Sequence, residues 1–198
     1  MKEDKKHFGT GIVTGVISLL LIMLITVLTV AYTGSYNIAA SEDHSPFVRW
    51  MFTTTMHNSI SSRASDITPP ESFTDEMVRA GAREYKAMCQ HCHGGAGVRP
   101  DKWSRGMLPQ PPHLPEAVRE WEANEVFWIA KHGIKMTGMP SFGQTHSDES
   151  IWNITAFAMR LPGMTREEYD SYGTGQSGGH RHGSGTGSSQ SNGHGHSH

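Results

Sequence analysis

Hydrophobic positions in this chain follow two distinct regimes, one continuous and one periodic. Residues 9–40 contain no Asp, Glu, Lys or Arg, and within them "IVTGVISLLLIMLITVLTVAY", Ile12 to Tyr32, is an almost unbroken apolar run. A helix of about 21 residues, rising about 1.5 Å per residue, crosses a hydrocarbon core of about 30 Å. The Thr and Ser hydroxyls inside it can bond back to the helix, and Tyr32 and Tyr36 stand where interfacial aromatics belong. Beyond residue 45 the apolar positions become periodic. "SPFVRWMFTTTMHNSISSRA", 45–64, opens on Ser-Pro, an N-cap followed by a favoured first helical residue. Phe47, Trp50 and Met51 share a face with Thr54, and Met56 and Ile60 follow at i+4, which predicts a short amphipathic helix over the membrane surface or against the main domain. "TDEMVRAGAREYKAMC" has Thr74 as N-cap and Met77, Ala80, Tyr85 and Met88 at helical spacings. "EAVREWEANEVFWIAKHG", 116–133, reads as one or two helices closed by Gly133. "DESIWNITAFAMRLPG", 148–163, reads as another, with Ile151, Ile154, Phe157, Ala158 and Leu161 on one face and Pro162-Gly163 as its stop. No segment alternates with period two, so the chain is expected to be all-α.

Composition and charge divide the chain further. The expected organisation is a cytoplasmic stub (1–10), a transmembrane anchor (11–33), a juxtamembrane helix and linker (34–70), a main domain (71–172) and a tail (173–198). Pro69-Pro70 marks the linker, because neither residue continues a helix. The apolar run exceeds the roughly 7–15 residues of a signal-peptide core. Asn37-Ile38-Ala39-Ala40 is also a poor cleavage site, so the anchor is expected to be retained. Lys2, Lys5 and Lys6 precede it and place the N-terminus in the cytoplasm by the positive-inside tendency. The expected location is a bacterial inner membrane, single-pass, with the main domain periplasmic. The formal net charge of -2 shows no basic footprint for nucleic acid. The tail is Gly, Ser, Thr, Gln, Asn and His with one Arg, a composition that is expected to be disordered. Its His180, His182, His194, His196 and His198 are candidates for chelating Cu, Ni or Zn.

Both cysteines lie in "KAMCQHCHGG", 86–95. A redox dithiol of the thioredoxin kind needs a βαβ context that is missing. A structural zinc site needs four ligands, and His113, His132 and His146 are isolated from one another. C-x-x-C-H is the attachment signature of c-type haem. One helical turn carrying Cys89 and Cys92 presents both sulfurs to one edge of a porphyrin, for addition to its two vinyl groups. His93 then reaches the iron from one face, while Gln90 and His91 act as spacers. "GIKMTGMPSFG" offers Met139 between Gly138 and Pro140, and a Met thioether opposite His is the common sixth ligand of electron-transfer cytochromes c. Met136 is expected to fill the pocket edge, and Met107 is a distant third candidate for the iron.

With those residues in place, the stretch 71–172 resembles the class I cytochromes c. Gly81, Tyr85 and Cys89-Cys92-His93 follow that family's N-terminal helix pattern, and Ile154 and Phe157 fit its C-terminal one. The run from "FWIAKHG" to "DESIW" is similar to anchored single-haem bacterial members. The resemblance implies three to five helices around one covalently bound haem c, preceded here by a single transmembrane helix. It implies that the two terminal helices cross at Gly81. It also implies that a proline loop, "QPPHL", supplies a carbonyl to the axial histidine's Nδ1, with Pro112 the candidate and Pro111 beside it. The loop between His93 and those prolines is longer than the family pattern.

The haem pocket is expected to include Trp103, Leu108, Leu114, Phe127, Trp128, Ile134, Phe142 and Trp152. Arg99, Trp103 and Arg105 are candidates to bond haem propionates, and Lys131 and Lys135 could orient an acidic partner. The expected iron ligands are His93 and Met139. The expected function is an anchored electron carrier rather than an enzyme, acting alone or as a subunit of an oxidoreductase complex. Its donor would be a dehydrogenase or quinol-oxidising complex, and its acceptor a terminal oxidase or reductase. A haem-based sensor, in which a gas displaces the Met, and a metal-handling accessory protein with a His-rich tail remain as alternatives.

Overall fold

A computed structural model describes residues 2–172, with side chains from residue 9 onward. The His-rich tail, 173–198, with its expected disorder and candidate metal ligands, lies outside the described residues. The described chain is helical, and it contains no strand, only an isolated bridge between Gly95 and Val98.

The first helix, α1 (Lys2–Thr33), contains the apolar run. Its stretch Gly9–Thr33 is long and apolar enough to cross a membrane, and none of it is covered by the rest of the protein. Thr26 Oγ1 donates to the Ile22 carbonyl (2.9 Å) and Thr33 Oγ1 to the Thr29 carbonyl (2.7 Å), so these hydroxyls are satisfied without water. The second helix, α2 (Pro46–Ala64), starts where Ser-Pro places it, with Ser45 Oγ accepting from the Val48 amide. Its C-terminal half packs on the main domain. Ile60 and Ala64 are buried, the His57 ring stacks on Trp121, Asn124 Nδ2 donates to the Ala64 carbonyl, and Ser61 bonds Glu125.

The domain core is the crossing of α3 (Asp75–Glu84) with α7 (Asp148–Arg160). Val78 and Ala82 of α3 and Tyr85 just after it meet Ala156, Phe157 and Leu161, all buried. Each large side chain removed from water here contributes about 1.5–3 kcal/mol. A short helix that the sequence reading did not foresee, α8 (Arg166–Ser171), completes this core. A Thr165/Glu168 capping box starts it, and the box lowers Tyr169 into the cluster against Phe157. Between the core helices, the segment read as one or two helices divides into α5 (Leu114–Ala117), a 3-10 turn (Val118–Glu120) and α6 (Ala123–His132), closed at Gly133. Phe127 of α6 stacks on Trp152 of α7 with ring centroids 4.1 Å apart, and Ala130 and Ile151 complete this second cluster.

Candidate functional site

The motif segment grows directly out of α3. After Glu84 the helix widens into a π-helical turn, Tyr85–Cys89, in which the Gln90 amide reaches back to the Tyr85 carbonyl, and it resumes as α4 (Gln90–His93). Cys89, Cys92 and His93 therefore stand on one rigid helical end. Buried hydrogen bonds hold that end in place: Tyr85 Oη donates to the Gly94 carbonyl (2.9 Å) and Tyr169 Oη to Gln90 Oε1 (2.7 Å). Burial pushes the phenols of Tyr85 and Tyr169 well above their usual range, so both stay neutral donors.

Cys89, Cys92 and His93 line an apolar cavity of about 590 Å3. Met139 lines the same cavity from the loop after α6. The remaining wall is largely apolar. Leu114, Val118, Val126, Ile129, Ala130, Ile134, Phe142, Ile154 and Ala158 contribute from the domain, and Met56 and Ile60 from α2. This volume and lining are those of a site for a large apolar cofactor, with a few polar groups placed to orient it. Burial beside Cys92 and Glu84 pushes the Cys89 thiol up to about 12. Burial that favours the neutral thiol disfavours the free thiolate on which redox exchange depends. Both cysteines are free thiols, and among the described residues no three His, Cys, Asp or Glu side chains come together as a metal site.

His93 is oriented by the proline loop. Its Nδ1 lies 2.9 Å from the Pro112 carbonyl, which can only accept, so the ring proton sits on Nδ1. Burial holds the imidazole pKa below its ordinary value, opposed in part by that hydrogen bond. The neutral ring keeps the Nε2 lone pair available to a metal. His91, by contrast, is exposed and pairs with Asp101 at 2.9 Å.

The methionine loop is internally braced. Thr137 Oγ1 accepts from the Met139 amide (3.1 Å) and donates to the Ile134 carbonyl (2.8 Å). The Ile134 amide in turn donates to the Met139 carbonyl (3.2 Å), and Ser141 Oγ bonds the Lys131 carbonyl (2.8 Å). Gly133 enters this loop at a φ of +66°, and a side chain there would also press on Met139 and Pro140. Met136 does not fill the pocket edge as expected. It sits at the loop tip with φ 61°, its side chain 87% exposed, because the turn that brings Met139 inward carries Met136 outward.

Four expected pocket residues, Leu108, Phe127, Trp128 and Trp152, lie outside the cavity lining. Helix α6 turns Val126, Ile129 and Ala130 to the cavity, at i, i+3 and i+4. Phe127 is thereby committed to Trp152, and Trp128 to His132. The helical spacing of Val126, Ile129 and Ala130 is the signal within α6 for the face that meets the cavity. The i+4 spacing of Met56 and Ile60 is the corresponding signal for the wall from α2. Trp103 lines the cavity while remaining 59% exposed, and its Nε1 donates to Asp101 Oδ2 (3.3 Å). Arg105 is exposed and lines a separate, smaller hollow with Arg99, Ser104, Gln110 and Pro111. Lys131 is engaged by Asp148 at 2.7 Å, while Lys135 is exposed.

Comparison with known proteins agrees with the site chemistry. Residues 76–157 match the family described as "Cytochrome C oxidase, cbb3-type, subunit III". No curated protein matches the chain. Among solved structures the chain is similar to the "Kuenenia stuttgartiensis reducing HAO-like protein complex Kustc0457/Kustc0458", at 25% identity and a TM-score of 0.42, over 49% of this chain and 49% of that one. The family match falls on the C-x-x-C-H helix and the cavity around it, so residues 76–157 are similar to a cytochrome c domain, behind an N-terminal helix apolar enough to cross a membrane.

Proposed function

We propose that this protein is a membrane-anchored, single-haem electron carrier in which Cys89 and Cys92 hold the haem by thioether bonds and His93 and Met139 are its axial ligands. The bound haem supplies a one-electron Fe(III)/Fe(II) couple. The observation that carries the reading is the convergence of these four side chains, from two distant stretches of chain, on one apolar cavity. Pro112 orients His93 through Nδ1, and Thr137 braces the backbone of Met139 from the other stretch. The apolar wall excludes water, which limits the reorganisation that accompanies each electron. With His93 and Met139 both engaged by the iron, the domain would transfer electrons rather than make bonds. Trp103, at the exposed rim, marks the side on which the ring edge would face a partner.

The charge asymmetry around α1 supports a haem domain on the periplasmic side of a bacterial inner membrane. Donors and acceptors are then membrane-associated redox proteins, with a dehydrogenase or quinol-oxidising complex on one side and a terminal oxidase or reductase on the other. Absorption spectroscopy of the purified full chain tests the ligation. The oxidised protein should show the far-red sulfur-to-iron band, and the reduced protein should not bind carbon monoxide. Ready carbon monoxide binding by the unmutated protein would replace the carrier reading with that of a ligand-binding sensor.

A further inference from the structure

Helix α2 is apolar on two sides, and the domain covers only one of them. Met56, Ile60 and Ala64 turn toward the domain, where Met56 and Ile60 are part of the cavity wall. At about 100° per residue, Phe47 and Met51 project away from Met56 and Ile60, while Trp50 lies between those two sides, on a turn that precedes the contacts with the domain. Phe47, Trp50 and Met51 are 67%, 62% and 39% exposed. This uncovered patch begins at Phe47, 14 residues after the last residue of the membrane-spanning helix. The short connection is itself organised. Tyr36 Oη bonds His44 Nδ1 (2.6 Å), the two rings stack, His44 meets Phe52 edge-on (5.8 Å), and Arg49 pairs with Asp43 (3.2 Å). Ile38, in the same connection, is 91% exposed, and Tyr32, at the end of the span, is 87% exposed.

We propose that the N-terminal half of α2 lies in the lipid interface, with Phe47, Trp50 and Met51 inserted among headgroups and upper acyl chains. The helix then joins the bilayer on one side to the cavity wall on the other. The position and composition of this segment favour lipid as the occupant. The patch is continuous with a helix that already crosses the bilayer, and Trp is a residue of membrane interfaces. The segment 34–52 carries only Glu42, Asp43 and Arg49, so its affinity is apolar in origin and insensitive to salt. Further along the outer side, α2 turns polar, with Asn58 and Ser62 exposed, so contact ends where the helix rises onto the domain. The domain is thereby held against the membrane surface, and it exchanges electrons only with partners whose redox centres lie near that surface. This inference rests on α1 being the membrane span.

The test uses the full haem-loaded chain in nanodiscs of phosphatidylcholine. With Cys89 and Cys92 bound to haem, an introduced cysteine is the one thiol available to a nitroxide label. Met51→Cys and Ser62→Cys are labelled separately, and collision of the label with oxygen, which partitions into lipid, is compared with collision with a water-soluble nickel chelate. The label at 51 should favour oxygen by several-fold over the label at 62, in low and in high salt. Equal, water-like collision ratios at both positions overturn the proposal. So does a label at 51 that is immobilised but inaccessible to both reagents, which would assign the patch to a protein partner. A chain that fails to stay in the nanodisc overturns the anchor reading itself, whereas a retained chain with a water-like label at 51 overturns only the placement of α2.

Discussion

Gly81 of α3 lies directly against the backbone carbonyl of Asn153 in α7. A Cβ built on Gly81 would fall inside the envelope of that carbonyl and 2.9 Å from the Ile154 amide nitrogen. The contact is backbone to backbone, so no rotamer change can relieve it. Both partners also belong to the packing that holds the motif helix, since Val78, Ala82 and Tyr85 on one side and Ala156 and Phe157 on the other bury at the same crossing.

Gly81→Ala should therefore separate the two helices. Overpacking typically costs about 1–3 kcal/mol, and a rigid backbone neighbour puts this site at the upper end. Thermal unfolding of the haem-loaded domain should fall by roughly 4–8 °C for each kcal/mol lost. An unchanged melting temperature would show that the helices can part without cost.

Met139 and Met136 should behave oppositely. Met139→Leu should remove the far-red band, lower the potential and open the iron to carbon monoxide. Met136→Leu should leave all three nearly unchanged, because that side chain lies in solvent. Spectra of the two variants decide the sixth ligand, and loss of the band in Met136→Leu would reassign it.

Thr137 should act on the site without entering the cavity's chemistry. Thr137→Val removes two hydrogen bonds that brace the Met139 backbone, each worth about 1 kcal/mol. The expected result is partial carbon monoxide binding and a weakened far-red band, with Thr137→Ser restoring both. If Thr137→Val lowers stability alone and leaves the spectrum intact, the hydroxyl serves only the loop.

Replacing Cys89 and Cys92 together by Ala should abolish haem retained on a denaturing gel. The folded domain should be lost with it, since two sides of the domain meet across the cavity rather than through it. A cooperative, haem-free helical domain in the double variant would assign the cysteines a different role.

How far the sequence was readable depended on the range of the interactions involved. The C-x-x-C-H motif, Ser45-Pro46, Thr74 and the Pro162-Gly163 stop are local devices, each fixed by neighbours within a few residues, and each element they mark is present. The position of Pro112 was legible only through resemblance, because nothing local ties residue 112 to residue 93. The structure brings the Pro112 carbonyl within 2.9 Å of the His93 ring despite the long loop between them.

The sequence by itself determined the apolar span and the helical class, and it pointed to the cofactor chemistry and to the residues offered to iron, because periodicity and motif spacing are properties of neighbouring residues. Only the tertiary structure decided which face of α6 meets the cavity, that Met136 turns out to solvent, and that α2 is part of the cavity wall. The first and last of those choices follow from packing between separate segments, 25 residues apart for Phe127 on Trp152 and 60 for the bond from Asn124 to the Ala64 carbonyl. A periodic pattern says that a helix has an apolar face, but only the neighbour that removes that face from water selects its partner.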